Sequence, residues 1–195
     1  MMLLQNPIAT ARTILNDAGI VTYTAADLTR YANDALDAIL GLAPRWFNTR
    51  GTLLCTAGTT EQTLSFANAQ ALVMVERIQG GGVVHLADRA AFDRFQPGWP
   101  SDTAGPAQNW MPSPASPVQF SIYPKAPSAQ TLELVYVRVP GEYADADETG
   151  LPDTLAPAVA DYIVAMAMSR DDEHVNASRA AQFLQSFTAR VGGAQ

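Results

Sequence analysis

Apolar residues recur every three or four positions at the two ends of this chain, whereas its middle carries short β-prone runs, some alternating every second position. At the N-terminal end Asn6-Pro7 offers an N-cap followed by proline at the first helical position. Ile8, Ala11, Ile14, Leu15 and Ala18 follow at helical spacing until Gly19 stops the run. Thr24 to Asp27 has the form of a capping box. Behind it Leu28, Tyr31, Ala32, Ala35, Leu36, Ile39 and Leu40 form one apolar stripe, ended by Gly41 and Pro44. Two such helices with a short link predict an antiparallel hairpin. At the C-terminal end Leu155, Val159, Tyr162, Ile163 and Met166 share a face, with Pro157 tolerable only in the first turn. Val175, Arg179, Phe183, Phe187 and Val191 then step by four, backed by Ala180 and Leu184, and Gly192-Gly193 ends the helix.

Between the helix pairs lie TLLCT (52–56), QTLSF (62–66), ALVMVERIQ (71–79) and VVHLA (83–87), short runs bounded by Gly or Asn that predict strands. Gly80-Gly81-Gly82 reads as a hairpin turn, since a phosphate loop would need a following helix and a Lys-Ser/Thr pair. A short helix is predicted over 87–95. PVQFSIYP (117–124) and QTLELVYVRVP (130–140) predict a second hairpin, with Val118, Phe120 and Ile122 on one face and Gln119 and Ser121 on the other.

Neither helix pair can bury its stripe alone. The predicted fold is therefore α+β: a four-helix bundle from residues 6–50 and 151–193, with residues 51–150 as an antiparallel β-rich insertion. Within the insertion, residues 96–117 hold six of the chain's thirteen prolines and two of its three tryptophans, Trp99 and Trp110. That composition predicts an extended loop, and long loops in compact domains tend to carry function or flexibility. Its tryptophans either pin it to its own sheet or anchor a neighbour; both readings stay open.

Composition removes several function classes. The 195 residues carry a net charge of −7, and Lys125 is the only lysine, so phosphate-neutralising nucleic-acid binding has little to work with. A single cysteine, Cys55, excludes an internal disulfide and a thiolate-rich zinc site. The opening MMLLQNPIATAR lacks a basic n-region and turns polar at once, so no signal peptide is expected. LAPAVADYIVAMAMSRDDEH (155–174) is strongly apolar, but Asp161 leaves too short an uncharged run to span a bilayer, which needs about 20 residues. It predicts a buried helix.

Candidate chemistry is sparse. No G-x-S-x-G elbow and no dinucleotide fingerprint after a strand occurs. His85 lies in a predicted strand, where a structural role is favoured. His174 follows Asp171-Asp172-Glu173, but consecutive helical residues diverge, and the run reads as a solvated helix junction. DADETG (145–150) resembles the start of an EF-hand loop, yet its twelfth position is Ala156 where a bidentate Glu is needed. An acidic turn before a helix N-terminus explains it. No pair of carboxylates is singled out for acid–base work, and no catalytic residue, metal or cofactor is expected.

The order of elements is similar to that of the head-to-tail adaptor (connector) proteins of short-tailed bacteriophages, of the tail tubular protein A type. LTRYANDALDAILGLAPRWF is a helix with Asn-Asp-Ala in its middle, ending in a proline. FSIYPKAP is followed by the strand LELVYVRVP, then by an acidic link, Leu151-Pro152, Asp161-Tyr162 and a small-residue stretch. The resemblance implies a structural virion protein and no enzyme. It implies a ring, twelve-fold in the family, at the head–tail junction, made in the host bacterial cytoplasm. The partners implied are the portal protein, the tail nozzle or next tail component, further copies of the chain, and passing double-stranded DNA held without specific binding; no membrane is involved. Partner contacts are expected at Trp99, Trp110 and Met111, and a channel- or interface-facing acidic surface at Asp145, Asp147 and Glu148. A tail completion or terminator protein is the related alternative, and a small acidic hydrolase or ligand-binding domain the unrelated one.

Overall fold

A computed structural model describes residues 1–17, 22–128, 130–170 and 176–193. The chain divides into two compact units, Met1–Phe47 with Pro140–Gln195, and Asn48–Val139. The protein is α+β, and the β-rich unit is inserted into the helical one. The boundaries differ from the predicted 50/51 and 150/151. Residues 140–150 belong to the helical unit, because backbone and side-chain hydrogen bonds tie them to its first residues and second helix.

The helical unit contains α1 (Gln5–Leu15), α2 (Ala25–Leu42), α4 (Ala156–Met168) and α5 (Ala177–Gly193). In α2 the Asp27 N–H donates to Thr24 Oγ1 at 3.1 Å and the Thr24 hydroxyl donates to Asp27 Oδ2 at 2.8 Å, so the predicted cap is reciprocal. All seven residues of its predicted stripe are buried. Helix α1 starts one residue before Asn6, with no side-chain cap, because Met2 and Leu4 are themselves fully buried and carry the chain into the helix. It ends at Leu15, three residues short of the predicted Ala18, because Asn16 caps it in the left-handed conformation at φ 55°. The predicted stop at Ala18-Gly19 lies outside the described residues, as do Asp171 to Val175.

The predicted pairing of α1 with α2 gives way to a different centre. Helices α1, α2 and α5 all pack on α4, and α1 and α2 touch each other only sparsely. The reason is the composition of α4. Apart from Asp161 it is apolar all round, with Ala158, Ala160, Ala165 and Ala167 buried beside Val159, Ile163 and Val164, and small residues let three neighbours approach closely. Each fully buried Val or Ile there contributes about 1.5–3 kcal/mol. In α5 only Ala180, Phe187 and Val191 are buried, while Arg179 is exposed and Phe183 and Leu184 are half-buried.

The β-rich unit has two sheets. Strands β1 (Asn48–Leu54), β7 (Thr131–Arg138) and β3 (Ala69–Ile78) form an antiparallel sheet with β7 central. Strands β2 (Glu61–Thr63), β6 (Gln119–Tyr123), β5 (Asn109–Pro112) and β4 (His85–Leu86) form the other, with β4 parallel to β5. Leu53, Val75, Leu132 and Leu134 from the first sheet meet Trp110, Phe120 and Ile122 from the second in one core. The Gly80–Gly82 turn is present: Gly80 has φ +70°, the Ile78 N–H donates to the Gly82 carbonyl at 2.9 Å, and Arg77 bridges Val83.

Two expectations for this unit are corrected. β6 and β7 do not form a hairpin, since β6 pairs with β2 and β5 while β7 pairs with β1 and β3. Each is the most buried strand of its sheet and takes a central place. Ser121, predicted to face outward, is therefore 1% exposed between Phe120 and Ile122. Residues 96–117 are also not one extended loop. Trp99–Ser101 form a 3-10 turn and Asn109–Pro112 form β5, with Trp110 paired opposite Ile122. The prolines masked a four-residue strand because Pro112 sits only at its end, where a lost donor is tolerated. The predicted helix over 87–95 is α3 (Arg89–Phe95), capped by Asp88, whose carboxylate accepts the Ala90 N–H at 2.9 Å.

Candidate partner-binding surfaces

Charge divides with the fold. The inserted unit holds six acids (Glu61, Glu76, Asp88, Asp93, Asp102, Glu133) and six bases (Arg50, Arg77, Arg89, Arg94, Lys125, Arg138), so it is neutral. The helical unit therefore carries thirteen acids against six bases and the whole net charge of −7.

In the helical unit the acidic segment 140–151 is fastened at two places. Asn33 of α2 exchanges two hydrogen bonds with the Tyr143 backbone, and the Thr29 hydroxyl donates to Asp145 Oδ1. On its other side the Met2 N–H donates to the Leu151 carbonyl at 2.8 Å and the Gln5 N–H to that of Asp145 at 2.8 Å. A groove of about 590 Å³ runs between α2 and this segment, lined by Arg30, Asp34, Asp37, Glu142 and Asp145 among others. Asp34 and Asp37 act beyond the groove: burial first, and then their two charges, push the Tyr162 phenol above its ordinary value. On the same helix, the Thr24 hydrogen bond above all holds the Asp27 carboxyl below its ordinary value, and Arg170 and Arg30 add to it.

The three predicted acidic residues have distinct places here. Asp145 is half-buried and held by Thr29. Asp147 is exposed and closes a turn, its carboxylate accepting the Ala144 N–H at 2.8 Å. Glu148 is exposed and its backbone bridges Leu3. Thr149 is buried, with its hydroxyl donating to the Met2 carbonyl at 3.2 Å. The DADETG run is thus a folded acidic turn. Behind it Asp161 is buried and accepts from Ser186 Oγ at 2.6 Å and Arg190 Nε at 2.8 Å, joining α4 to α5.

In the β-rich unit the three predicted contact residues are inside. Trp99 is 2% exposed, Trp110 5% and Met111 0%. Trp99 donates from Nε1 to Asp93 at 2.9 Å and meets the rings of Phe92 and Tyr123 edge-on. The apolar residues that face outward are others. Val83 is 57% exposed, Leu86 67% and Phe95 79%. Val83 and Leu86 rim a groove of about 510 Å³ that Trp110 also lines, together with Val73 and Met74. A second groove of about 770 Å³ shares Leu86 and Pro112 with it and extends to Ala90, Asp93 and Pro114. Trp110 thus reaches the surface only as groove lining, below residues that periodicity did not single out. The signal available was VVHLA itself, an apolar run too short to be covered on both faces. Asn33 gave no such signal, because nothing in sequence distinguishes a clamping asparagine from a solvated one. His85 lies exposed in β4, and Cys55 is buried, which pushes its thiol up to about 11.

Among the described residues no group of three or more His, Cys, Asp or Glu side chains could hold a metal ion, and no helix is long and apolar enough to cross a membrane. The arrangement offers two kinds of surface, an acidic helical one and a neutral apolar one. No curated protein matches the chain in sequence. The family model described as SU10 adaptor protein matches residues 2–195, taking in both units. With the match running the length of the chain, this protein belongs to the SU10 adaptor family and is a phage head-to-tail adaptor.

Proposed function

We propose that the chain acts as one subunit of a ring, twelve-fold as in tail tubular protein A, seated between the portal and the next tail component and extending the DNA channel. The observation that carries this reading is the charge division. A unit of net charge −7 can border passing DNA without gripping its phosphates, because like charge discourages binding. A neutral unit with exposed Val83, Leu86 and Phe95 suits protein contacts, where depletion of charge marks the interface core. In this reading the four helices act as a rigid bundle against neighbours and portal, and Asp145, Asp147 and Glu148 form acidic surface near the channel or a neighbour. Trp99, Trp110 and Met111 serve the tail-side contact from beneath, Trp110 as groove lining and the other two by holding the surface above them.

Mass photometry of the protein mixed with the portal protein of the same phage tests the proposal. The expected result is a portal particle that gains about one chain per portal subunit. A folded protein that leaves the portal mass unchanged would place the chain on the tail side instead.

A further inference from the structure

Helix α3 presents two unlike features on opposite sides. One side lines the 770 Å³ groove with Ala90 and Asp93, beside Leu86, Pro112 and Pro114. Phe95 lies two residues beyond Asp93, which on a helix is about 200° around the axis, so it points away from the groove. At 79% exposure Phe95 is the most exposed aromatic side chain among the described large hydrophobics. The Arg94 guanidinium sits over its ring at 5.4 Å, exposed and without an ion pair among the described residues. Asp88, in the groove, likewise has no ion pair among the described residues.

We infer that the Arg94–Phe95 knob of one copy docks in the Leu86–Pro114 groove of the next copy. Shape and charge both match. The groove sets Leu86, two alanines and two prolines for a phenyl ring beside two carboxylates, Asp88 and Asp93, against the single Arg89, a charge opposite to that of Arg94. Aromatic and Arg side chains are also the types that dominate binding energy at interface centres. Because Phe95 points away from the groove of its own copy, one copy cannot satisfy itself. The contact is heterologous, the kind that repeats from subunit to subunit and closes when its rotation does. This inference deepens the ring reading and rests on it.

The test uses the full-length chain, alone and with the portal protein. Phe95→Asp and Arg94→Glu change only exposed side chains, so thermal melts should match wild type while the association constant between copies falls by about tenfold or more. Phe95→Cys combined with Leu86→Cys, treated with a short bismaleimide, should give a ladder extending past dimers; each single-cysteine variant should stop at dimers. Cys55 is buried and does not compete. Wild-type assembly on the portal that Phe95→Asp leaves intact, with no ladder, would overturn the knob-and-groove contact and keep the ring. Absence of any wild-type assembly on the portal would remove the ring reading, and this contact with it.

Discussion

Asn33 and Tyr143, 110 positions apart, hold each other as two strands would: Asn33 Nδ2 donates to the Tyr143 carbonyl at 3.0 Å, and the Tyr143 N–H donates to Asn33 Oδ1 at 2.9 Å. One amide side chain on α2 therefore substitutes for a missing strand neighbour and orders an acidic segment that has no regular structure of its own. Asn33→Ala removes both bonds, at about 1 kcal/mol each. The expected outcome is a modest fall in melting temperature with faster proteolysis confined to residues 140–150. Unchanged cleavage there would mean that the Met1–Gln5 backbone bonds suffice.

Asp161 joins α4 to α5 through Ser186 and Arg190. Its carboxylate is buried, whereas the Arg190 side chain is about half exposed. Asp161→Ala leaves a half-exposed guanidinium to water and the partly buried Ser186 hydroxyl without its acceptor, and should cost about 1 kcal/mol. Arg190→Ala strands the buried carboxylate with only the Ser186 hydroxyl, so the loss should be larger. Denaturant unfolding of the two variants checks the order.

Trp110→Ala should destabilise the β-rich unit by about 3–5 kcal/mol, since the ring lies in the core shared by both sheets. Leu86→Ser, at the rim of the same groove, should leave the melting temperature within about 1 °C of wild type and weaken assembly instead. Calorimetry alongside mass photometry separates the two effects. Equal destabilisation by both would make the rim part of the fold.

Burial of Cys55 sets a pH dependence at the alkaline end. Its thiol is pushed up from an ordinary 9.0 to about 11 in the folded chain. Between those values the unfolded chain loses the proton that the folded chain keeps, so unfolding releases a proton. Stability is then full below pH 9 and declines as pH rises toward 11. Cys55→Ala should flatten that decline. Thiol labelling of the native protein at pH 8 should follow the unfolding rate rather than the reagent concentration.

The helices were legible in the sequence because they depend on local pattern. The α2 stripe from Leu28 to Leu40 and its Thr24 cap need only neighbours within one turn, and both are present as predicted. The Gly80–Gly82 turn is local for the same reason. Sheet order is not local. β6 and β7 are adjacent in sequence and look like a hairpin, yet each pairs with strands some tens of residues earlier, and only the competition for the most buried place decides that. Likewise, Trp99, Trp110 and Met111 have the composition of a contact patch. Whether a tryptophan faces a partner or its own core depends on what covers it, and here Asp93 and Phe92 cover Trp99 while the first sheet packs against Trp110. The sequence by itself determined which residues are apolar, where the helices run and how much charge there is. Tertiary structure alone decided that all the net charge gathers in one unit, and that Val83, Leu86 and Phe95, not the tryptophans, are left facing water.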